Sequence, residues 1–266
     1  MLFLYLKSDN LSMLNNHLIL DFSHVYCDEK IPKKDKVLWI DCSDIRECDL
    51  YCSKDAEEEI KSRIKPYGIH GIHFLDSGNY HYVTKIMTDF IEQEFLLILF
   101  DHHTDMQKPM IDDMTSCGDW AGKVIKTNQL LQQLILIGPQ ERDILEVLNE
   151  EGIKEKLLTI SAEEIQGGDV KNKISKIIKN IPVYISIDKD ILDEEYSMTN
   201  WSQGKMSLSM LERLLIPILK NEKILGIDIC GECRQDIPFP QYLEAEEING
   251  ETNKELFDFL IHYLHI

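Results

Sequence analysis

The sequence predicts an α/β protein: one domain over residues 1–266, a three-layer α/β/α arrangement around a mainly parallel sheet. Three observations lead there. Short apolar runs alternate with amphipathic stretches along nearly the whole chain, as strands joined by crossover helices do. The runs at 95–100 (Phe-Leu-Leu-Ile-Leu-Phe) and 181–187 (Ile-Pro-Val-Tyr-Ile-Ser-Ile) are almost wholly apolar rather than alternating, which fits strands buried on both faces. Each is followed at once by acidic residues, and ligands in such folds gather beyond the carboxyl ends of the strands.

Taken in order, Leu18–Phe22 and Val37–Ile40 read as the first strands, the second followed by Asp41. Ser53 to Lys65 reads as a helix that stops at Pro66, with Ile60 and Ile64 on one side. Ile69–Leu75 is strand-like, although Gly71 and the polar rings of His70 and His73 dilute it. Val83, Ile86, Met87, Phe90 and Ile91 recur at helical spacing, which puts His81 at or near a helix start. After the run at 95–100, Lys108 to Gly122 reads as a long loop, and loops of that length are more often functional than idle. Leu134–Gly138 and Leu157–Ile160 are strands separated by a helix at Arg142–Asn149, and Ser161-Ala-Glu-Glu164 is a capping-box pattern. Ile174, Ile177 and Ile178 mark a helix before the second acidic strand. Ser207 caps a helix to Leu219, which Pro217 either kinks or ends. Ile224–Ile229 is the last strand and Glu251–Leu264 the closing helix. No linker, low-complexity tract or repeat interrupts the pattern.

The formal net charge of -19 argues against a nucleic-acid surface, which needs lysine and arginine in excess. It suits metal ions or a cationic ligand, and equally an ordinary acidic surface. There are seven cysteines, an odd number, and Met1–Lys7 is too short for a signal peptide, so reduced thiols in a cytoplasm are expected. Cys48 with Cys52 and Cys230 with Cys233 lack the tight-turn surroundings of a zinc knuckle. No apolar run approaches the roughly 20 residues that span a bilayer, and a soluble protein without a membrane partner is expected.

The chemistry concentrates at two strand ends. Asp101, His103 and Asp105 stand two residues apart, so on an extended backbone they project from one face; Asp188 and Asp190 share the same spacing. Carboxylates crowded there repel one another and resist ionisation until divalent cations neutralise them. An EF-hand loop is excluded because Leu192 takes its third ligand position. Oxygen-rich donors with one or two imidazoles favour Mn²⁺, ahead of Mg²⁺, Fe²⁺ or Zn²⁺. Two ions sharing carboxylates lower the pKa of a bridging water, so the chain needs no serine or cysteine nucleophile.

Asp101-His-His-Thr-Asp105 resembles the Asp-x-His-x-Asp motif of the arginase/agmatinase/formiminoglutamase ureohydrolases. Ser186-Ile-Asp-Lys-Asp-Ile-Leu-Asp193 resembles their Ser-x-Asp-x-Asp-x-x-Asp motif, and Gly78-Asn-Tyr-His81 their Gly-Gly-Asp-His segment. The order and spread match from about residue 35 to the end, as in a divergent member. The resemblance implies an arginase-like fold and two Mn²⁺. His81, Asp101, Asp105 and Asp188 would hold one ion, and Asp101, His103, Asp188 and Asp190 the other, with Asp101 and Asp188 bridging. It further implies hydrolysis of a linear C–N bond in a small cationic guanidino or amidino substrate by a metal-bridging hydroxide, with Asp105 accepting a hydrogen bond from that hydroxide. A homo-oligomer, trimeric or hexameric, is implied as well.

Where the chain departs from the family, alternatives stay open. Tyr80 replaces the family's acid, so His81 reads either as a ligand or as a helix-start or core histidine. Asp228-Ile-Cys-Gly-Glu232 places the family's last acid one residue late. A bulge at Gly231 would restore its aim and make Glu232 a catalytic, substrate-gripping acid; otherwise it faces solvent. Ser116-Cys-Gly-Asp-Trp-Ala-Gly122 replaces the loop Ser-Gly-Asn-x-His-Gly. Asp119 and Trp120 would bind a cationic substrate by charge and cation–π attraction, or else serve as ordinary loop and packing residues. Asn200, Trp201 and Gln203 occupy the place of the family's Gly-Thr-rich loop and would line the pocket. His102, on the opposite face from His103, reads as a core or ligand-supporting residue. Two other functions fit the same residues: a single-zinc, deacetylase-like amidohydrolase, and a metal-binding non-enzyme with a degenerate substrate pocket.

Overall fold

A computed structural model describes residues 16–26, 37–168, 170–174, 176–234 and 236–264. Cys27 and the segment Met1–Lys7 lie outside the described residues. The eight apolar runs read from the sequence pair into one sheet in which every neighbouring pair is parallel. In chain order its strands are β1 (His17–Asp21), β2 (Val37–Asp41), β4 (Ile72–Phe74), β5 (Phe95–Phe100), β7 (Leu131–Ile137), β8 (Leu157–Ile160), β9 (Val183–Asp188) and β10 (Ile224–Cys230). Their spatial order is β2-β1-β4-β10-β9-β5-β7-β8. The third strand is shorter than the run Ile69–Leu75 because Gly71 sits at φ 137°, outside the range of a pleated strand.

Both faces of the sheet are covered at its centre, which is why β5 is apolar throughout. On β5, Phe95, Leu97 and Leu99 pack on one side with Ile60, Ile64, Val83 and Trp120. These come from α1 (Lys54–Ile64), α2 (Val83–Thr88) and α3 (Trp120–Thr127). Leu96, Ile98 and Phe100 pack on the other side with Leu211, Leu215, Leu256 and Leu260. A period of two therefore feeds two separate cores. Three shorter helices follow α3: α4 (Glu141–Val147), α5 (Ala162–Gly167), which starts on the expected Ser161–Glu164 capping box, and α6 (Lys171–Ile174). Ile177 and Ile178 fall outside α6, so that helix is shorter than its apolar spacing implied.

The second core is closed by α7 (Leu208–Asn221) and α8 (Phe239–Leu264). Pro217 lies inside α7, and the helix continues past it. The closing helix begins at Phe239, well before Glu251; Pro240, Gly250 and a run of acids obscure its first turns. The stretch 108–122 is also more structured than a loop. It contains β6 (Thr115–Ser116), which pairs antiparallel with β3 (Tyr51–Cys52), and the first turn of α3.

Register positions the chemistry. Phe100 of β5 is the partner of Ile187 in β9, and Cys230 of β10 is the partner of Asp188. The next residue beyond Phe100 is Asp101, so two acids leave adjacent strands at the same level.

Candidate metal centre

Asp101 is buried at the tip of β5, where its N–H donates to the Ile137 carbonyl at 3.0 Å. The chain then leaves the strand, and Asp105 adopts φ 50°. Strand alternation therefore does not continue through the motif, yet Asp101, His103 and Asp105 still converge on one cleft with Asp188, Asp190 and His81. Gly138, at φ 122°, allows the close approach: a Cβ there would collide with the Asp101 carbonyl.

Three carboxylates each anchor one oxygen on backbone. Asp101 Oδ1 accepts from His103 N at 2.6 Å, Asp188 Oδ1 from Asp190 N at 2.9 Å, and Asp190 Oδ1 from His102 N at 3.0 Å. Their other oxygens face imidazoles. His81 Nδ1 lies 3.3 Å from Asp101 Oδ2, 3.0 Å from Asp105 Oδ2 and 3.4 Å from Asp188 Oδ2. His103 Nδ1 lies 2.7 Å from Asp190 Oδ2 and 3.6 Å from Asp101 Oδ1. Two donor groups result, His81–Asp101–Asp188 and Asp101–His103–Asp190, each with ligand atoms within 4.8 Å of one another and both containing Asp101.

The electrostatics follow from this crowding. Burial, reinforced by the neighbouring Asp101 carboxylate, pushes the Asp105 and Asp190 carboxyls each up to about 7. Burial and the nearby Asp190 push Asp188 up to about 8. For Asp101 burial acts in the same direction, but the close approach of the His103 and His81 rings overcomes it and holds the carboxyl below its usual range. Burial opposes charge on His103 as well, and hydrogen bonds to Asp101 and Asp190 raise it to about 12.

The residues fit a pair of divalent cations. Asp101 Oδ2 is buried without a hydrogen-bond partner, a costly state for a carboxylate oxygen unless a cation meets it. Mixed carboxylate and imidazole donors are those of a hard or borderline ion. The cleft above them measures ≈ 170 Å³ and is lined also by Tyr51, Gln107, Ser116, Cys117 and Trp201. His102 is outside that lining, half-buried, with burial and then His103 lowering its pKa.

Of the residues expected at the substrate, Asp119, Trp120, Asn200 and Gln203 are placed elsewhere and do not line the cleft. Asp119 is buried; it accepts from Ser116 N at 2.9 Å and pairs with Lys123 at 3.1 Å, fixing the turn that starts α3. Trp120 is fully buried, with its ring 4.8 Å from that of His81 and its Nε1 donating to Asp105 Oδ2 at 2.5 Å. It orients a candidate ligand instead of stacking on a cation. Asn200 is exposed and bridges Arg234 N at 2.7 Å and Asp236 at 3.1 Å. Gln203 ties its own loop to the Ser197 carbonyl at 2.8 Å; of that segment, Trp201 does line the cleft.

Glu232 follows neither of its two expected courses. Gly231 adopts φ 98° and both it and Glu232 donate backbone N–H groups to the Asp76 carbonyl, at 3.0 and 3.1 Å. The acid is buried, not solvent-facing, and it turns to Lys189 Nζ at 2.5 Å and Asn253 Nδ2 at 2.7 Å. Lys189 is itself fully buried between Asp188 and Asp190, with Asn253 Oδ1 at 2.9 Å. The sequence motif alone gives Lys189 no role. A lysine in the middle position of a buried Asp-x-Asp pair needs an acid, and Glu232 is the one within reach.

Comparison with known proteins agrees with this geometry. The profile of the Arginase family matches residues 27–231. An uncharacterized protein of Thermotoga maritima is 30% identical over 255 residues, 95% of this chain and 94% of that one. The fold is similar to agmatine ureohydrolase of Thermoplasma volcanium (TM-score 0.64, 15% identity, 95% of this chain and 90% of that one). It is also similar to Trypanosoma cruzi formiminoglutamase with Mn²⁺ (TM-score 0.63, 11% identity, 95% and 94%). Among the described residues, no helix is long and apolar enough to cross a membrane, and the cysteines are free thiols.

Proposed function

Because the chain belongs to the arginase family, we propose that it is a binuclear Mn²⁺ hydrolase acting on a linear C–N bond of a guanidino or amidino compound. The observation that carries this reading is the sharing of Asp101 between two complete donor groups, since a single-zinc site needs only one. His81, Asp101, Asp105 and Asp188 would hold one ion, and Asp101, His103, Asp188 and Asp190 the other. Bound there, the pair would supply a water acidic enough to attack at neutral pH. Asp105, its carboxylate aimed by the Trp120 indole, would accept the hydrogen bond that orients that water. Trp201, Ser116 and Tyr51 wall the cleft in which the trigonal carbon is presented. The Mn²⁺ of the formiminoglutamase structure and the agmatine ureohydrolase name of the other neighbour support the metal and the substrate class.

One observation favours a second reading. Glu232, the counterpart of the acid that grips guanidinium in the resemblance, is neutralised by Lys189. A protein that keeps its ions and has lost its substrate would look the same. Manganese counting on purified protein, followed by assays of urea or ammonia release from arginine, agmatine, guanidinobutyrate, guanidine and formiminoglutamate, separates the two. Two manganese per chain with turnover of any of these compounds supports the hydrolase. Two manganese and silence across the series supports the non-enzyme, and a single zinc supports the deacetylase-like alternative.

A further inference from the structure

His81 has a second side. Its Nε2 lies 2.9 Å from Ser186 Oγ, and Ser186 Oγ lies 3.0 Å from Thr84 Oγ1. Thr84 Oγ1 donates to Asp228 Oδ2 at 2.8 Å, while Asp228 Oδ1 accepts from Tyr184 at 2.7 Å and lies 2.8 Å from His73 Nδ1. Thr84, Ser186, Asp228, Tyr184 and His73 are all fully buried. They come from α2, β9, β10 and β4, so the chain crosses the centre of the sheet.

Its polarity is fixed from one end. The single hydroxyl hydrogen of Thr84 goes to the Asp228 carboxylate, so Ser186 must donate to Thr84. Ser186 has then spent its own hydrogen, and His81 Nε2 must donate to it. The proton is thereby committed to Nε2, and the Nδ1 lone pair is left for the cleft. His103 has no such chain behind it. Its Nε2 meets Ser202 Oγ at 2.9 Å at an exposed edge.

We infer that Thr84, Ser186 and Asp228 are positioning residues. They hold His81 as the Nε2-protonated tautomer and so set the affinity of the ion bound by His81 without touching the ion bound by His103. This rests on the two-ion reading above. Hydrogen bonding behind a ligating histidine typically contributes about 10- to 100-fold in metal affinity.

The test is calorimetric titration of Mn²⁺ into the wild type, Thr84→Val and Thr84→Ser. Valine keeps the shape and removes the hydroxyl; serine keeps the hydroxyl. The expected result is two ions in the wild type and in Thr84→Ser, whereas in Thr84→Val one site weakens by about 10- to 100-fold and the other stays put. Thr84→Val binding both ions as the wild type does overturns the inference, as does equal loss in Thr84→Ser, which would mean packing alone. A wild type that takes up no Mn²⁺ overturns the two-ion reading and this one together. Should the valine variant not fold, Ser186→Ala is titrated in its place, since it removes the hydroxyl that His81 Nε2 meets. Weakening of one site alone is expected, and two ions bound as in the wild type refute the chain.

Discussion

At the scale of single residues, Lys189 shows what a buried charge demands of its surroundings. Buried beside two ligands, it requires a counter-charge, and Glu232 supplies it. Removing one member of a buried pair strands the other. Lys189→Met or Glu232→Gln is therefore expected to lower stability by about 3–5 kcal/mol, and the double change Lys189→Met/Glu232→Leu to recover most of it. Urea unfolding of the three variants measures this, and a double mutant no better than the singles would contradict it. The ligands themselves predict a pH dependence. Asp105, Asp188 and Asp190 are raised to about 7, 8 and 7 by burial and mutual repulsion, so Mn²⁺ must displace protons from them. Affinity should rise with pH through 7 to 8, with proton release visible as a buffer-dependent heat. Without metal, these raised carboxyls add stability that is complete below their unfolded pKa and is lost as pH climbs from there through 7 to 8. The melting temperature of metal-free protein should fall there, and that of Mn²⁺-loaded protein should not.

At the scale of elements, the strand ends are held by glycines as much as by side chains. A Cβ on Gly231 would lie 2.6 Å from Asp188 Oδ1 and would have to exist at φ 98°. Gly231→Ala should cost about 1–2 kcal/mol from the backbone alone and weaken Mn²⁺ binding as Asp188 is displaced. Titration and thermal melting check both; unaltered metal binding would show that Asp188 has room to yield. The elements also show what sequence can and cannot reveal. All eight sheet strands were legible as apolar runs; in β5 the run is continuous because both faces are buried, whereas edge strand β2 is apolar although Leu38 and Trp39 are exposed. The early turns of α8 were not legible, since Pro240, Gly250 and neighbouring acids hide a helix that tertiary packing sustains. Trp120 and Asp119 read either as cation-binding or as ordinary loop and packing residues, because nothing local announces that a two-residue ribbon and a helix start lie there. The convergence of Asp101, His103 and Asp105 was foreseen from alternation, which ends at Phe100; the turn through Asp105 completes it instead.

At the scale of the whole molecule, the candidate ions would join β5, β9 and the segment before α2, which are separate in sequence. Ions that bind only the folded chain stabilise it by about 2.7 kcal/mol at a hundredfold excess over Kd. Melting should therefore rise with Mn²⁺ concentration in the wild type and stay flat in Asp188→Ala. A rise in that variant would mean the ions bind elsewhere. The donor residues were legible in the sequence because they cluster in two short motifs. The supporting chain through Thr84, Tyr184 and Asp228 was not, because its members are far apart until the sheet assembles.

The small antiparallel ribbon of β3 and β6 stands apart from the parallel sheet that carries the acids, yet Tyr51, Ser116 and Cys117 on it wall the cleft. The rim and the floor of the cleft thus lie on different pieces of backbone. A change on the ribbon therefore reshapes the rim without moving the floor of carboxylates beneath it.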